Sequence, residues 1–161
     1  MPAGCDGTHH FHVPSPRLRR ASGNKPQETS KRPHMDRYRV LIVEDDRGTR
    51  AALRSHFSYQ GWHVAVAATV AEGFDLLDPP PNCLVLDLML PDGGGEAILR
   101  KVREDNLPTR VVAVTTGVSD PTRLVVVKGL NPDVLLSKPI DPGVLLRVCE
   151  AEMEGALGLC P

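Results

Sequence analysis

At 161 residues, with 41% hydrophobic and 24% charged positions, the chain has room for one domain with a proper core and is short for two. A formal charge of −1 excludes a global electrostatic bias toward nucleic acid or membrane, and no run is apolar for long enough to span a bilayer or to act as the core of a secretion signal. The charge is unevenly spread: residues 1–35 carry net +4 and the remainder net −5.

The basic segment holds His9, His10, His12, His34 and five prolines with few aliphatic side chains. It cannot bury enough surface to offset chain entropy, so residues 1–35 are expected to form a disordered extension; translation starting at Met35 fits the same composition. Cys5, Cys83, Cys149 and Cys160 show no CxxC spacing and no zinc-like pairing with histidine, and they read as reduced thiols.

From Asp36 onward, strand-like apolar runs alternate with helical stretches, the pattern of a parallel sheet covered on both faces. A first strand over about 38–43 leads through Glu44, Asp45 and Asp46 into a helix of about 48–58, with Ala51, Ala52, Leu53, His56 and Phe57 near one face. Gly61 stops it, and Trp62 to Ala67 alternates as a second strand. Thr69 caps a helix to about Leu77, Glu72 completes a capping box, and Pro79, Pro80 and Pro81 end it. The third strand is 83–87, followed by a helix from about Gly95 to Asp105 with Ala97, Ile98, Leu99 and Val102 inward. Arg110 to Thr115 forms a fourth strand, Ser119 or Asp120 with Pro121 opens a fourth helix, and Val134 to Ser137 is the fifth strand. Asp141 with Pro142 caps a last helix reaching about Met153.

The first strand ends in Glu44 and Asp45, the third in Asp87, and the two later strands in Thr116 and Lys138. The carboxyl edge is where open α/β sheets place ligands. Clustered carboxylates, an ammonium and a hydroxyl meeting there suit a phosphoryl group handled with a divalent cation, which also relieves the repulsion among the acids. Asp46 and Arg47 provide the duller reading of the first turn, as helix-capping residues without metal.

Four motifs, Val43-Glu44-Asp45-Asp46, Asp87-Leu88-Met89-Leu90-Pro91-Asp92-Gly93, Thr116-Gly117-Val118-Ser119-Asp120 and Ser137-Lys138-Pro139, together resemble the receiver domain of bacterial two-component response regulators. Asp45, Asp87, Thr116 and Lys138 are separated by 42, 29 and 22 residues, the spacings such domains use. Thr115 competes for the hydroxyl position, and Thr116 is preferred because Gly117 follows it and its distance to Lys138 fits. The resemblance covers about 36–153. It divides the chain into an extension (1–35), a receiver domain (36–154) and a short tail (155–161).

The resemblance implies an α/β fold, a five-stranded parallel sheet in the flavodoxin-like order 2-1-3-4-5 with helices on both faces. It implies that Asp87 is the phosphoacceptor, attacking phosphorus on the phosphohistidine of a sensor histidine kinase or histidine phosphotransfer protein in the cytoplasm. Mg2+ would be bound directly by Asp45 and Asp87, mostly through water by Glu44, and by the backbone carbonyl of Met89. Lys138 would meet one phosphoryl oxygen and Thr116 would donate a hydrogen bond to another. The Lys138–Pro139 bond is expected cis.

Departures from the family pattern bear on output. Leu135 stands where the family usually has Tyr or Phe, and Asn131-Pro132 replaces the usual Gly-Ala, so switching would proceed by aliphatic repacking. Leu124, Val125, Val126 and Val127 sweep most of the way around a helix, so at least one of them is expected to face solvent; either this helix with the Leu135 strand would dimerise or meet an unknown downstream protein, or the helix is broadly buried. Met89 and Val118 offer no group to orient a hydrolytic water, which implies a persistent aspartyl phosphate. Nothing after the last helix resembles a DNA-binding or catalytic output module, so the expectation is a stand-alone receiver and not an enzyme. The alternatives are an interaction module of the same fold that works without phosphorylation, and a small aspartyl-phosphate phosphatase. The phosphatase is disfavoured because Met89 occupies the place of its second acid.

Overall fold

Alternate residues of the central strands point to opposite faces, and both faces are apolar; that is why these strands lie in the middle of a sheet and not at its surface. The computed structural model describes residues 38–115 and 121–151. Its strands are β1 (Arg39–Val43), β2 (His63–Ala67), β3 (Cys83–Asp87), β4 (Met89–Leu90), β5 (Gly93–Gly94), β6 (Arg110–Thr115) and β7 (Val134–Ser137). The helices are α1 (Arg47–Tyr59), α2 (Val70–Asp75), α3 (Glu96–Glu104), α4 (Pro121–Gly129) and α5 (Pro142–Glu150). The main sheet is parallel throughout, in the order β2-β1-β3-β6-β7. With the small β4–β5 hairpin left out of the count, this is the expected order 2-1-3-4-5.

The two faces divide by residue parity. Leu41, Val43, Leu84, Leu86, Val111 and Ala113 pack with Val70, Ile98, Leu99, Val102 and Val127, placing α2, α3 and α4 on one side. Val40, Ile42, Cys83, Val85, Val112 and Val114 pack with Leu53, Phe57, Leu145, Leu146 and Cys149, placing α1 and α5 on the other. Each fully buried aliphatic side chain contributes about 1.5–3 kcal/mol. β3 is buried along its whole length, whereas the edge strands β2 and β7 are only partly covered.

Several local expectations need correction. In α1 the sheet is met by the i, i+4 pair Leu53 and Phe57; Ala51 and Ala52 are exposed and His56 is half-buried, because the next positions around the helix turn away. In α3, Ile98, Leu99 and Val102 face inward and Ala97 is exposed. α2 stops at Asp75, although Leu77 beyond it is buried. α5 is helical to Glu150; Met153 and residues 155–161, like residues 1–35, lie outside the described residues. The turn after Asp87 is a short antiparallel hairpin, with Met89 paired to Gly94 and Leu90 to Gly93. Gly61 does end the first helix, at φ 87°, and Lys138–Pro139 is cis as expected.

Asn131 takes up the left-handed conformation, φ 53°, between α4 and β7. Arg103 at the end of α3 donates to its carbonyl at 3.0 Å and to the Asp133 carboxylate at 2.7 Å, and the Val111 amide donates to the same carboxylate oxygen at 2.7 Å. Burial opposes the charge on Asp133, but the Val111 amide and Arg103 together outweigh it and hold the carboxyl below its ordinary value. A depressed carboxylate pKa stabilises the fold above the unfolded value and ceases to do so as pH falls through the folded one. The variant Asp133→Asn is therefore expected to be less stable at pH 7 by about 1 kcal/mol, in the range of partly exposed ion pairs, in urea unfolding. The gap from wild type should close below about pH 4.

Candidate functional site at the carboxyl edge

The parallel sheet sets the ends of β1 and β3 side by side and that of β7 on the same edge beyond β6, and with them Glu44, Asp87 and Lys138. The Lys138 ammonium lies 2.6 Å from Asp87 Oδ2 and 2.8 Å from Glu44 Oε2. Glu44 and Asp87 are each only 3% exposed, so without the lysine their charges would be held almost out of water. One carboxylate oxygen from each of Glu44, Asp45 and Asp87 falls within 4.8 Å of the others, with Asp45 on the solvent side. Three hard oxygen donors, two buried and one open to water, fit a divalent cation such as Mg2+ that keeps part of its hydration shell.

The electrostatics follow from this packing. Burial pushes the Glu44 carboxyl up; Lys138 pulls it back and the Asp87 charge raises it further, with a net upward displacement. Burial alone would lower Lys138, but hydrogen bonds and charge from Asp87 and Glu44 outweigh it and raise the ammonium above its ordinary value. Lys138 is thus a fixed cation.

The backbone presents these groups through local devices. Asp46 caps α1, its Oδ1 accepting from the Thr49 amide at 2.7 Å, and this bond holds the Asp46 carboxyl below its ordinary value. Asp46 is accordingly a helix cap, and the acidic turn divides into two candidate ligands and one structural residue. Arg50, one turn into the helix, donates to the carbonyls of Glu44 at 2.7 Å and Asp45 at 2.9 Å, fixing the turn from behind. After Asp87, the Met89 amide donates to Asp87 Oδ1 at 2.8 Å. Gly95 passes so close that a Cβ there would lie 2.2 Å from the Asp87 carbonyl oxygen, and no other residue fits. Asp92 at the hairpin turn accepts from Val70 N at 2.8 Å and Ala71 N at 3.1 Å. A cavity of about 440 Å3 opens beneath Asp87 and Lys138, walled by Leu53, Val85, Val114 and Leu145.

Glu44, Asp45, Asp87 and Lys138 are therefore brought together, and Met89 follows directly in the hairpin with its side chain half exposed. Thr116 and Val118 lie outside the described residues; Thr115, the rival hydroxyl, ends β6 as a buried residue. Arg50, Asp92 and Arg123, the last donating to Leu88 O and Glu96 Oε2, hold the segments around the site through contacts that the sequence does not assign. Arg50 left a faint signal in its position one turn into a helix that starts from the acidic turn, and the other two depend on tertiary contacts.

This arrangement defines a class. The model of the response regulator receiver domain family matches residues 40–150, and the chain belongs to that family. Over 85 residues, 51% of its length, it is 36% identical to Response regulator MprA of Mycobacterium avium (strain 104), covering 37% of that protein. The chain thus spans well under half the length of the curated relatives it matches. Among solved structures, a CheY-like response regulator receiver domain protein from Methanospirillum hungatei JF-1 superposes with a TM-score of 0.67 at 25% identity, over 73% of this chain and 94% of that one. The BeF3-activated DrrB receiver domain gives 0.61 at 27%, over 73% and 97%.

Lys138 holds two buried acids together, so its removal leaves their repulsion uncompensated. Breaking a fully buried pair costs about 3–5 kcal/mol, and since the lysine side chain is 23% exposed, Lys138→Met is expected to lose about 2 kcal/mol. Urea unfolding in metal-free buffer at pH 7 measures it.

Proposed function

We propose that this domain takes a phosphoryl group onto Asp87 from a sensor histidine kinase or histidine phosphotransfer protein and signals through protein contacts. The observation that carries the reading is the single ammonium of Lys138 held against two carboxylates that share an oxygen cluster with Asp45. A nucleophile, a cation site and a fixed positive charge at one sheet edge are the parts that phosphoryl transfer needs, since the protein's task is positioning and charge neutralisation. Mg2+, held by Asp45, Asp87 and the Met89 carbonyl with Glu44 acting mostly through water, would supply neutralisation of the phosphoryl oxygens.

In the transfer step a carboxylate oxygen of Asp87 forms the bond to phosphorus as the P–N bond to the donor histidine breaks, and the imidazole keeps that electron pair. Lys138 turns from Asp87 Oδ2 toward the incoming oxygen, with Thr116 donating to another. Arg50 keeps the Glu44–Asp45 turn from retreating as the charge changes. The acceptor is consumed by its own phosphorylation, so the domain is a switch rather than an enzyme, and a cytoplasmic site of action suits its kinase partner. No helix among the described residues is long and apolar enough to cross a membrane.

Output is assigned to the α4–β7 side. Val125 and Val126 are 70% and 42% exposed while Val127 is buried, so two of the four apolar residues in the run face solvent. Leu135 on β7 is partly buried against the core and supports this face from within. A downstream protein or a second copy of the chain is the proposed partner.

Incubation with Mg2+ and acetyl phosphate is expected to give a covalent phosphate adduct by intact mass, absent in Asp87→Asn and abolished when EDTA removes the metal. Unchanged adduct in Asp87→Asn would sink the assignment. The Met89 side chain brings no acid, amide or imidazole to a hydrolytic water, so the adduct is expected to persist after donor removal. Met89→Asn should shorten its lifetime about tenfold, less than a fully positioned general base would.

A further inference from the structure

Both oxygens of the Asp87 carboxylate are occupied, and they lead in different directions. Oδ2 meets Lys138, and Oδ1 accepts from the Met89 amide at 2.8 Å. That amide belongs to the peptide unit whose carbonyl is Leu88 O, so the Leu88–Met89 peptide presents its N–H to the acceptor carboxylate and its C=O to the opposite side. On that opposite side stands Arg123 of α4. Its Nη2 donates to Leu88 O and, at 2.8 Å, to Glu96 Oε2 at the start of α3, while its Nη1 reaches the Met89 sulfur. The Arg123 and Glu96 side chains are 29% and 25% exposed, so the contact is largely withdrawn from water and from salt screening.

The geometry points to Arg123 as a positioning residue that couples the chemical state of Asp87 to the placement of α4, with the Leu88–Met89 peptide as the relay. The inference rests on the phosphoacceptor reading of Asp87. A peptide group hydrogen-bonded at both ends is polarised by both partners, and losing one weakens the other. When Oδ1 is drawn to phosphorus or to a cation it accepts less well from the Met89 N–H. The peptide plane is then free to tilt, and its carbonyl no longer stands where the Arg123 fork meets it. Because Arg123 sits in the first turn of α4, the change is delivered to the helix that exposes Val125 and Val126. Two further bonds limit how the relay can move. Leu88 N donates to Val114 O at 2.9 Å, anchoring the residue to β6, and Gly95 N already donates to Leu88 O at 3.2 Å beside Arg123, so the carbonyl keeps one donor when Arg123 leaves. Coupling of two sites needs an element whose arrangement both of them bias, and this peptide is such an element.

Hydrogen exchange of the α4 amides, with and without Mg2+ and acetyl phosphate, tests it on the full chain, with adduct occupancy read by intact mass on the same samples. Wild type is expected to change exchange across residues 124–129 on phosphorylation. In Arg123→Met and Arg123→Lys, the second keeping the charge but losing the fork, the α4 response compared at equal adduct occupancy should shrink about fivefold, the low end of ordinary coupling between sites. Glu96→Gln leaves the Leu88 carbonyl contact in place and should keep most of the response. A full wild-type response in both Arg123 variants at equal occupancy overturns the relay and leaves the phosphoacceptor reading standing. A wild-type protein that takes no adduct overturns both.

Discussion

One ammonium group shared between two carboxylates sets the terms for this structure. Glu44 and Asp87 come from the ends of adjacent parallel strands and are almost excluded from water, and Lys138 arrives from the far edge strand to lie within hydrogen-bond distance of both. Each alone would be costly to bury. Together they leave a site with excess negative charge, completed on the solvent side by Asp45, in which three carboxylate oxygens are close enough together to hold a cation. The fold serves this arrangement, because only a parallel sheet collects the carboxyl ends of β1, β3 and β7 along one edge.

Much of this was readable from the chain. Apolar runs ending in a charged or hydroxyl residue fixed the strand ends, and with them the identities of Glu44, Asp45, Asp87 and Lys138, because a strand buried on both faces leaves a polar residue nowhere to go except its end. The helix caps at Thr69 and Asp141 were equally visible, and Asp46 stood with Arg47 as the rival reading of the acidic turn, since short side-chain acceptors preceding an amphipathic stretch have a local job. The outward-facing Ala51, Ala52 and Ala97 were misplaced because alanine is indifferent: it gives a helix wheel no force to choose between sheet and solvent. The β4–β5 hairpin was missed because strands of two residues, one of them glycine only, carry no alternation to detect.

Contacts that depend on how whole elements dock left no trace in local pattern. Arg123 is one of several basic residues in the sequence, and only the approach of α4 to the β3–α3 connection distinguishes it. Asp92 reads as an ordinary turn residue until the hairpin folds over α2. The two sides of the sheet also differ in character. The α1–α5 side is closed by aromatic and aliphatic packing, with Phe57 set edge-on to Trp62 at 5.6 Å and Trp62 beside Tyr38. The α3–α4 side is laced by arginine at both of its ends, Arg103 toward Asp133 and Arg123 toward Glu96. Guanidinium forks hold direction firmly but are remade at little cost, which suits the side of the molecule that carries the exposed valines.

The hairpin also decides the fate of the shortest helix. α2 has six residues, far fewer than a helix needs to persist unaided, and its opening amides are met by borrowed acceptors: Asp92 takes those of Val70 and Ala71, and Thr69 takes that of Glu72. Two of those three acceptor contacts belong to the segment immediately downstream of Asp87. Distortion of that segment therefore reaches α2 directly, because it withdraws the acceptors of the helix's first two amides.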